Sequence, residues 1–503
     1  MGATIAPETV TPVVVAPILR DLPADLTPLR ALAAVEQLPG TLFLESGGPQ
    51  RDEREWTFLA FDPLWTLELK DGTLRRIGAG GRGFIGGEGG MFAGGGPGRA
   101  LEGPPLDPLG RAWPRKAAFE PDPAIPFAGG LAGYLSYDFK DALHPYPRRA
   151  RRESAHADLL LGYYDVVWAW ERRSGAGWVI ATGPDGVDGG ERVAAARERL
   201  AAQWERVAGR PRAGDPPTQP GAPRANPPRI VSNFTRASYR EAVLRALEHI
   251  AAGDIYQVNL AQRFLVTPSP PPEALHRRLR EAAPAPFGAF LAMDGGGIVS
   301  SSPERFFRVQ GARIEAWPIK GTRPRGRTPD EDAALAAQLQ ASGKDRAENV
   351  MIVDLERNDL GRVCAIGSVG VPALCEVESF SNVHHLVSRV TGTLRPDATP
   401  VDILAALFPG GSITGTPKIR AVGIIDELEP IRRGIFTGAI GYWDVRGGCD
   451  WNIAIRTLGV ERGASSFHVG GGIVAESDPD AEYEETLAKA AGMMAALGVR
   501  WEG

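Results

Sequence analysis

The sequence predicts an α+β fold in which antiparallel sheets are covered by helices. Two observations point there. Strand-like runs come in blocks, not in the strict alternation with helices that a doubly wound sheet requires. There is also no GxGxxG after a first strand and no GxxxxGK[ST], so a nucleotide-binding architecture has no support. At 503 residues, 43% hydrophobic and 23% charged, the chain can fill a core and is too long for one ordinary domain.

The N-terminal part is read as residues 15–205. TLFLES, TFLAF, DVVWAW and GWVIATG are bounded apolar runs that suit strands, and GGERVAAARERLAAQWERV has helical spacing. Residues 78–99 form a glycine-rich insertion that can bury little. Residues 206–229, rich in proline with scattered glycine and arginine, read as an extended linker. The C-terminal part covers 230–500. Ser238 with Glu241 is read as a capping box, and Gly253 as the stop of the helix between them. YQVNLAQRFLV, FGAFLAM, GGIVSSSPERFFRV and ARIEAWPI then read as strands. EDAALAAQLQASGKDRAENVMIVDLERNDLGRV reads as two helices. FTGAIGYWDV, CDWNIAIRTLGVE and SSFHVGGGIV read as further strands, and DPDAEYEETLAKAAGMMAALG as a last helix.

Composition excludes several classes. A net charge of −5 argues against a nucleic-acid ligand. No apolar run reaches the ~18–20 residues of a membrane span. The N-terminus has no basic region before its proline-interrupted apolar stretch, so no signal peptide is expected. Three cysteines, Cys364, Cys375 and Cys449, cannot build a disulfide framework and fit a reducing cytoplasm.

Four stretches place polar residues where a core would want apolar ones: SSPERF (301–306), PIKGTRPRG (318–326), KDRAENVMIVDLERNDLGR (344–362) and GGGIVAESDPDAEYEETLAK (470–489). Lys320, at the end of a strand-like run beside Gly321, is either a solvated lysine or a partly buried, neutral nucleophile. Glu348 opens an apolar helix, where the helix dipole alone would favour it. Glu482 and Glu485 project from one helix face. They form either a solvated acidic surface or, with water and substrate oxygens, a seat for a hard ion such as Mg²⁺. Gly470, Gly471 and Gly472 allow close backbone approach to a carboxylate, or simply turn the chain. Arg456 suits a planar oxyanion or a structural salt bridge equally. Of His384 and His385, adjacent on a strand, one at most faces a given site.

Taken together, these stretches resemble the chorismate-utilising enzymes, a family that includes anthranilate synthase component I, aminodeoxychorismate synthase component I, and the isochorismate and salicylate synthases. The resemblance spans 230–495. It also includes GDIYQVNLAQRF (253–264), VHHLVS (383–388), FPGGSITGTPKIRA (408–421), IIDELEP (424–430), GAIGY (438–442) and IRT (455–457). LFLESG (42–47) and GGLAGYLSYDF (129–139) extend it more loosely into the N-terminal part. The resemblance implies large antiparallel sheets packed as a sandwich with helices outside. Within PI-x-GT, anthranilate synthases typically carry alanine and aminodeoxychorismate synthases lysine, so Lys320 implies the latter subgroup, with anthranilate synthase as the alternative. Gln257 stands where isochorismate and salicylate synthases place a water-activating lysine. A glutamine is no general base, so nitrogen is the implied nucleophile.

What the resemblance implies for the site follows position by position. Lys320 attacks carbon 2 of chorismate, and Glu304 protonates the departing 4-hydroxyl. Ammonia then enters at carbon 4 and releases the lysine. Glu348 and Glu485, with Glu482 nearby, hold Mg²⁺ against the ring carboxylate. Gln257, Gly321, Thr322, His385, Ser412, Tyr442, Arg456 and the Gly470–Gly472 amides line the substrate pocket, with Arg456 on the enolpyruvyl carboxylate. Ser46 and Pro286, Phe287 and Gly288 match parts of a tryptophan pocket. No cysteine lies in a Gly-x-Cys-x-Gly elbow, so ammonia is expected from a separate glutamine amidotransferase subunit in a heteromer.

Overall fold

The computed structural model describes residues 13–15, 17–46, 55–78, 99–101, 106–114, 117–119, 124–146, 148–184, 189–208, 227–380 and 383–502. Most of the glycine-rich insertion and of the proline-rich linker, and Gly47 of LFLESG, lie outside these residues.

The α+β expectation holds. Among the described residues two sheets of 12 strands each dominate, and every strand pairing within them is antiparallel. Both sheets take strands from either side of the proline-rich stretch. In one, Phe287–Met293 pairs with Leu42–Glu45. In the other, Ala439–Asp444 pairs with Gly130–Leu135. A large buried cluster fills the space between them, including Trp451, Tyr134, Phe307 and Leu161. A second cluster lies on the outer side, where the last helix, Pro479–Leu497, and Pro272–Ala282 cover the sheet with Met493, Leu497, Leu275 and Leu279. Burial on that scale, at about 25 cal/mol per Å² of apolar surface, joins the two halves of the chain into one core. Among the described residues no helix is long and apolar enough to cross a membrane, and the three cysteines are free and buried.

Four local readings need correction, and each has a physical cause. The first C-terminal helix is Arg236–Ala251, capped by Thr235, whose hydroxyl and Ser238 form the reciprocal pair; Glu241 takes no part. Ser at the third helical position thus does what Glu does in the usual pattern. GGIVSSSPERFFRV is two strands, Gly296–Ser302 and Arg305–Gln310, because Pro303 has no N–H for the ladder. ARIEAWPI is likewise split, into Arg313–Ala316 and Ile319–Pro324, at Trp317-Pro318. Lys320 is therefore the second residue of a strand, not the end of one. CDWNIAIRTLGVE is two strands as well, Cys449–Ile453 and Thr457–Glu461, with Arg456 at φ 50° in the break between them.

Candidate active site

The two chain breaks just described bring the chemistry together. Glu304 falls in the gap left by Pro303. Ser302 Oγ accepts the Glu304 N–H at 3.2 Å and donates to the Ile453 carbonyl at 2.6 Å, while the Ile453 N–H bonds to the Glu304 carbonyl at 3.0 Å. The backbone is clamped on both sides, so the side chain is aimed by the fold. Its carboxyl is buried and accepts from the Ser412 hydroxyl and the Ile319 N–H. Burial outweighs these bonds and the nearby Lys320 charge, and pushes its pKa up to about 7.

Lys320 follows directly. Gly321 holds φ 85°, and a side chain there would meet Asp345 at 2.9 Å, so the close turn beside the lysine demands glycine. Burial lowers the Lys320 pKa, opposed by the charges of Glu348, Glu304 and Glu485 and reinforced by Lys489. The floor beneath the amine is the strand Ala464–Ile473, whose Gly470, Gly471 and Gly472 pair with Ala261, Leu260 and Asn259. A methyl group on Gly472 would lie 2.5 Å from Gln257 Nε2 and 3.4 Å from Lys320 Nζ. Glycine here is what allows amide and amine to share one void.

Gly471 opens toward the acidic helix instead: a methyl group there would lie 2.7 Å from Glu482 Oε2 and 3.8 Å from Glu485 Oε1. Glu348 lies more than one turn inside the helix Gly343–Gly361, so dipole capping is not its role. Its pKa is raised by burial, with the Glu485 charge adding to the effect. Glu482 accepts from Ser477 at 2.7 Å, and its pKa too is raised by burial. Glu485 pairs with Lys489 at 2.6 Å, and the ammonium offsets burial enough to hold its pKa low. Among the described residues no group of three or more His, Cys, Asp or Glu is preformed as a metal cage. An all-carboxylate set whose members repel across a half-buried gap nonetheless suits a hard cation that keeps waters and takes substrate oxygens.

Of the other expected pocket residues, Thr322 Oγ1 lies 2.9 Å from His385 Nδ1, its cross-strand partner. His384 turns the other way, 2.8 Å from Ser379 and 2.9 Å from Asp332. Ser412 sits in the short turn Gly411–Ile413 and reaches Glu304. Arg456 is largely buried, and burial lowers its pKa; among the described residues no carboxylate is paired with it to offset the cost. A guanidinium so placed is primed for an anion. Tyr442 is not with this group. It stacks on Phe127 at 4.6 Å and lines a separate cavity of about 810 Å³. That cavity also contains Ser46, Pro286, Phe287 and Gly288, together with Trp56 and Trp317.

Sequence reasoning missed one buried cluster beneath the site. Glu356 accepts the Gly411 N–H, and burial pushes its pKa up to about 8, with Asp359 and Glu304 adding to the rise. Asp359 bonds Lys418 at 2.5 Å. The i, i+3 spacing of the two acids in VDLERNDL was the available signal.

A profile described as chorismate binding enzyme matches residues 105–495. Aminodeoxychorismate synthase component 1 of Salmonella typhimurium is 42% identical over 374 residues, covering 74% of this chain and 77% of that one. Anthranilate synthase component 1 of Bacillus caldotenax is 35% identical over 490 residues, covering 96% and 93%. Among solved structures, anthranilate synthase component I of Streptococcus pneumoniae superposes with a TM-score of 0.72 at 27% identity, over 88% of this chain and 93% of that one. The menaquinone-specific isochorismate synthase of Escherichia coli shares the fold, with a TM-score of 0.68 at 18% identity over 97% and 96%.

Proposed function

The chain belongs to the chorismate-binding enzymes, and we propose that within that family it is an aminodeoxychorismate synthase component I, forming 4-amino-4-deoxychorismate from chorismate and ammonia for 4-aminobenzoate and folate synthesis. One observation carries the reading: a partly buried amine of lowered basicity, Lys320, in electrostatic reach of a buried carboxyl, Glu304, poised near neutrality. A covalent displacement needs a nucleophile and an acid, and these are the groups suited to the two roles.

Lys320 Nζ bonds to ring carbon 2, the diene electrons shift, and the 4-hydroxyl leaves as water with the Glu304 proton. Ammonia then bonds to carbon 4, the electrons shift back, and the lysine departs. Two successive displacements carry nitrogen to the position para to the ring carboxylate. Arg456 is assigned to the enolpyruvyl carboxylate, and His385, Thr322, Gly321, Ser412 and the Gly470–Gly472 backbone to the ring and its substituents. Glu348 and Glu485, with Glu482 behind them, would hold Mg²⁺, which supplies charge for the ring carboxylate and fixes the ring.

Ammonia is assigned to a separate glutamine amidotransferase subunit. The cavity around Ser46, Pro286, Phe287 and Gly288 is of a size and aromatic character that suits a tryptophan. The free, buried cysteines accord with a cytoplasmic protein.

Anthranilate synthase is the competing reading, favoured by the longer stretch over which such relatives match. Incubation with chorismate, Mg²⁺ and ammonium salts separates the two. Fluorescent anthranilate appears directly in one case. In the other, 4-aminobenzoate appears only after a lyase is added. Direct anthranilate formation would overturn the proposal.

A further inference from the structure

Gln257 is completely buried, yet among the described residues neither its carbonyl oxygen nor its amide nitrogen has a hydrogen-bond partner. Leaving buried polar groups unmet is costly, because each gives up its hydrogen bonds to water and gains none in return. The amide is held by the fold all the same: Gln257 begins the strand Gln257–Thr267 and pairs with Thr416 on one side. On the other its amide nitrogen lies over Gly472, beside the space that Lys320 Nζ also borders. A glutamate in this place would fill the same space, so size alone does not explain the amide.

The covalent step supplies it. When neutral Lys320 bonds to carbon 2 it becomes a secondary ammonium with two N–H groups, one more charged donor than the void held before. The 4-hydroxyl has left with the Glu304 proton, so the charges balance: one ammonium, one carboxylate, one water. In the second step the lysine must depart as a neutral amine, and it can do so only while its nitrogen still carries both hydrogens. Stripped of a proton, the nitrogen is an ordinary secondary amine whose departure would generate an amide anion.

We propose that Gln257 is the residue that receives the Lys320 adduct: its carbonyl oxygen accepts an N–H of the secondary ammonium without being basic enough to remove the proton, and so keeps the covalent bond reversible. Its amide nitrogen is then free to donate to the ring carboxylate, which adjoins carbon 2. Of the two orphaned atoms of the resting protein, the nitrogen is met once chorismate is bound and the oxygen by the charged N–H of the adduct, which is selective stabilisation of the reacting state. A group at 257 able to take the proton would convert the intermediate into a dead end.

The inference rests on the proposed function, and its test keeps the two apart. The full-length chain is mixed with chorismate, Mg²⁺ and ammonium chloride, quenched in acid and weighed intact, for wild type, Gln257→Glu and Gln257→Leu. Gln257→Glu keeps the size and adds a base. It is expected to accumulate a chain heavier by one chorismate less one water, at least tenfold more than wild type, with the mass mapping to Lys320 and turnover falling in step. Gln257→Leu, which removes the acceptor, is expected to form the adduct at least tenfold more slowly and to show no accumulation. If wild type gives the adduct transiently and Gln257→Glu releases it at the wild-type rate, this inference fails while the covalent mechanism stands. If no variant ever carries the adduct and Lys320→Ala still makes the para product, the covalent mechanism fails and this inference with it; if wild type makes the ortho-amino product directly, the proposed function itself fails.

Discussion

Replacing Glu304 by glutamine should change stability in a way that depends on pH, with a sign the structure dictates. Burial raises the carboxyl from 4.5 to about 7. Such a shift corresponds to about 3 kcal/mol of extra cost for the ionised form. Because the folded pKa is the higher one, the folded state binds more protons between pH 4.5 and 7. This contribution to stability is therefore fully present below the unfolded value and is lost as pH rises through the folded one. Glutamine cannot ionise and keeps an acceptor for Ser412 and the Ile319 N–H. Relative to wild type, Glu304→Gln should gain up to about 3 kcal/mol on going from acid to pH well above neutral. Urea unfolding of both proteins at pH 5 and pH 8.5 measures that difference. Activity should move oppositely, with the variant about 10²–10⁴-fold slower. In wild type kcat should fall about tenfold per pH unit above neutrality, as the acid is lost. A wild-type-to-variant stability difference equal at both pH values, or a variant that turns over normally, would refute the assignment of Glu304 as a buried proton donor.

Three further outcomes follow from the geometry. Gly472→Ala should abolish turnover while leaving the chain folded, because its methyl enters the void between Gln257 and Lys320; circular dichroism beside an activity assay checks both halves. Glu348→Gln and Glu485→Gln should each raise the Mg²⁺ concentration needed for half-maximal rate by at least tenfold, and chelation should silence wild type reversibly; an unchanged metal titration in both variants would remove these residues from the ion. The purified chain should use ammonium salts and not glutamine, and glutamine-dependent turnover without a second polypeptide would contradict the separate amidotransferase.

How much of this was legible in the sequence varies with the physical scale of the cause. Strand and helix identities were readable where the local pattern decides them, as in Gln257–Thr267 or Pro479–Leu497. Breaks at Pro303 and Trp317-Pro318 were not read, although proline signals them, because the flanking runs are apolar enough to continue a strand. These breaks are what place Glu304 and Lys320. The pairing of Leu42–Glu45 with Phe287–Met293 depends on contacts more than two hundred residues apart, which no local pattern encodes. At the site, Lys320, Glu304 and Ser412 do converge, as do Thr322 and His385. Tyr442 went to the other cavity, since strand alternation and not motif membership decides which face a side chain takes. The pairing of Lys489 with Glu485 was legible as an i, i+4 spacing on one helix, whereas the unmet amide of Gln257 exists only once the elements are packed.

The most direct test of the covalent route is product analysis of Lys320→Ala with chorismate, Mg²⁺ and ammonium chloride. Loss or severe slowing of the para-amino product, with at most a trace of the ortho-amino one, is the expected result. A variant that makes 4-amino-4-deoxychorismate at the wild-type rate would contradict it.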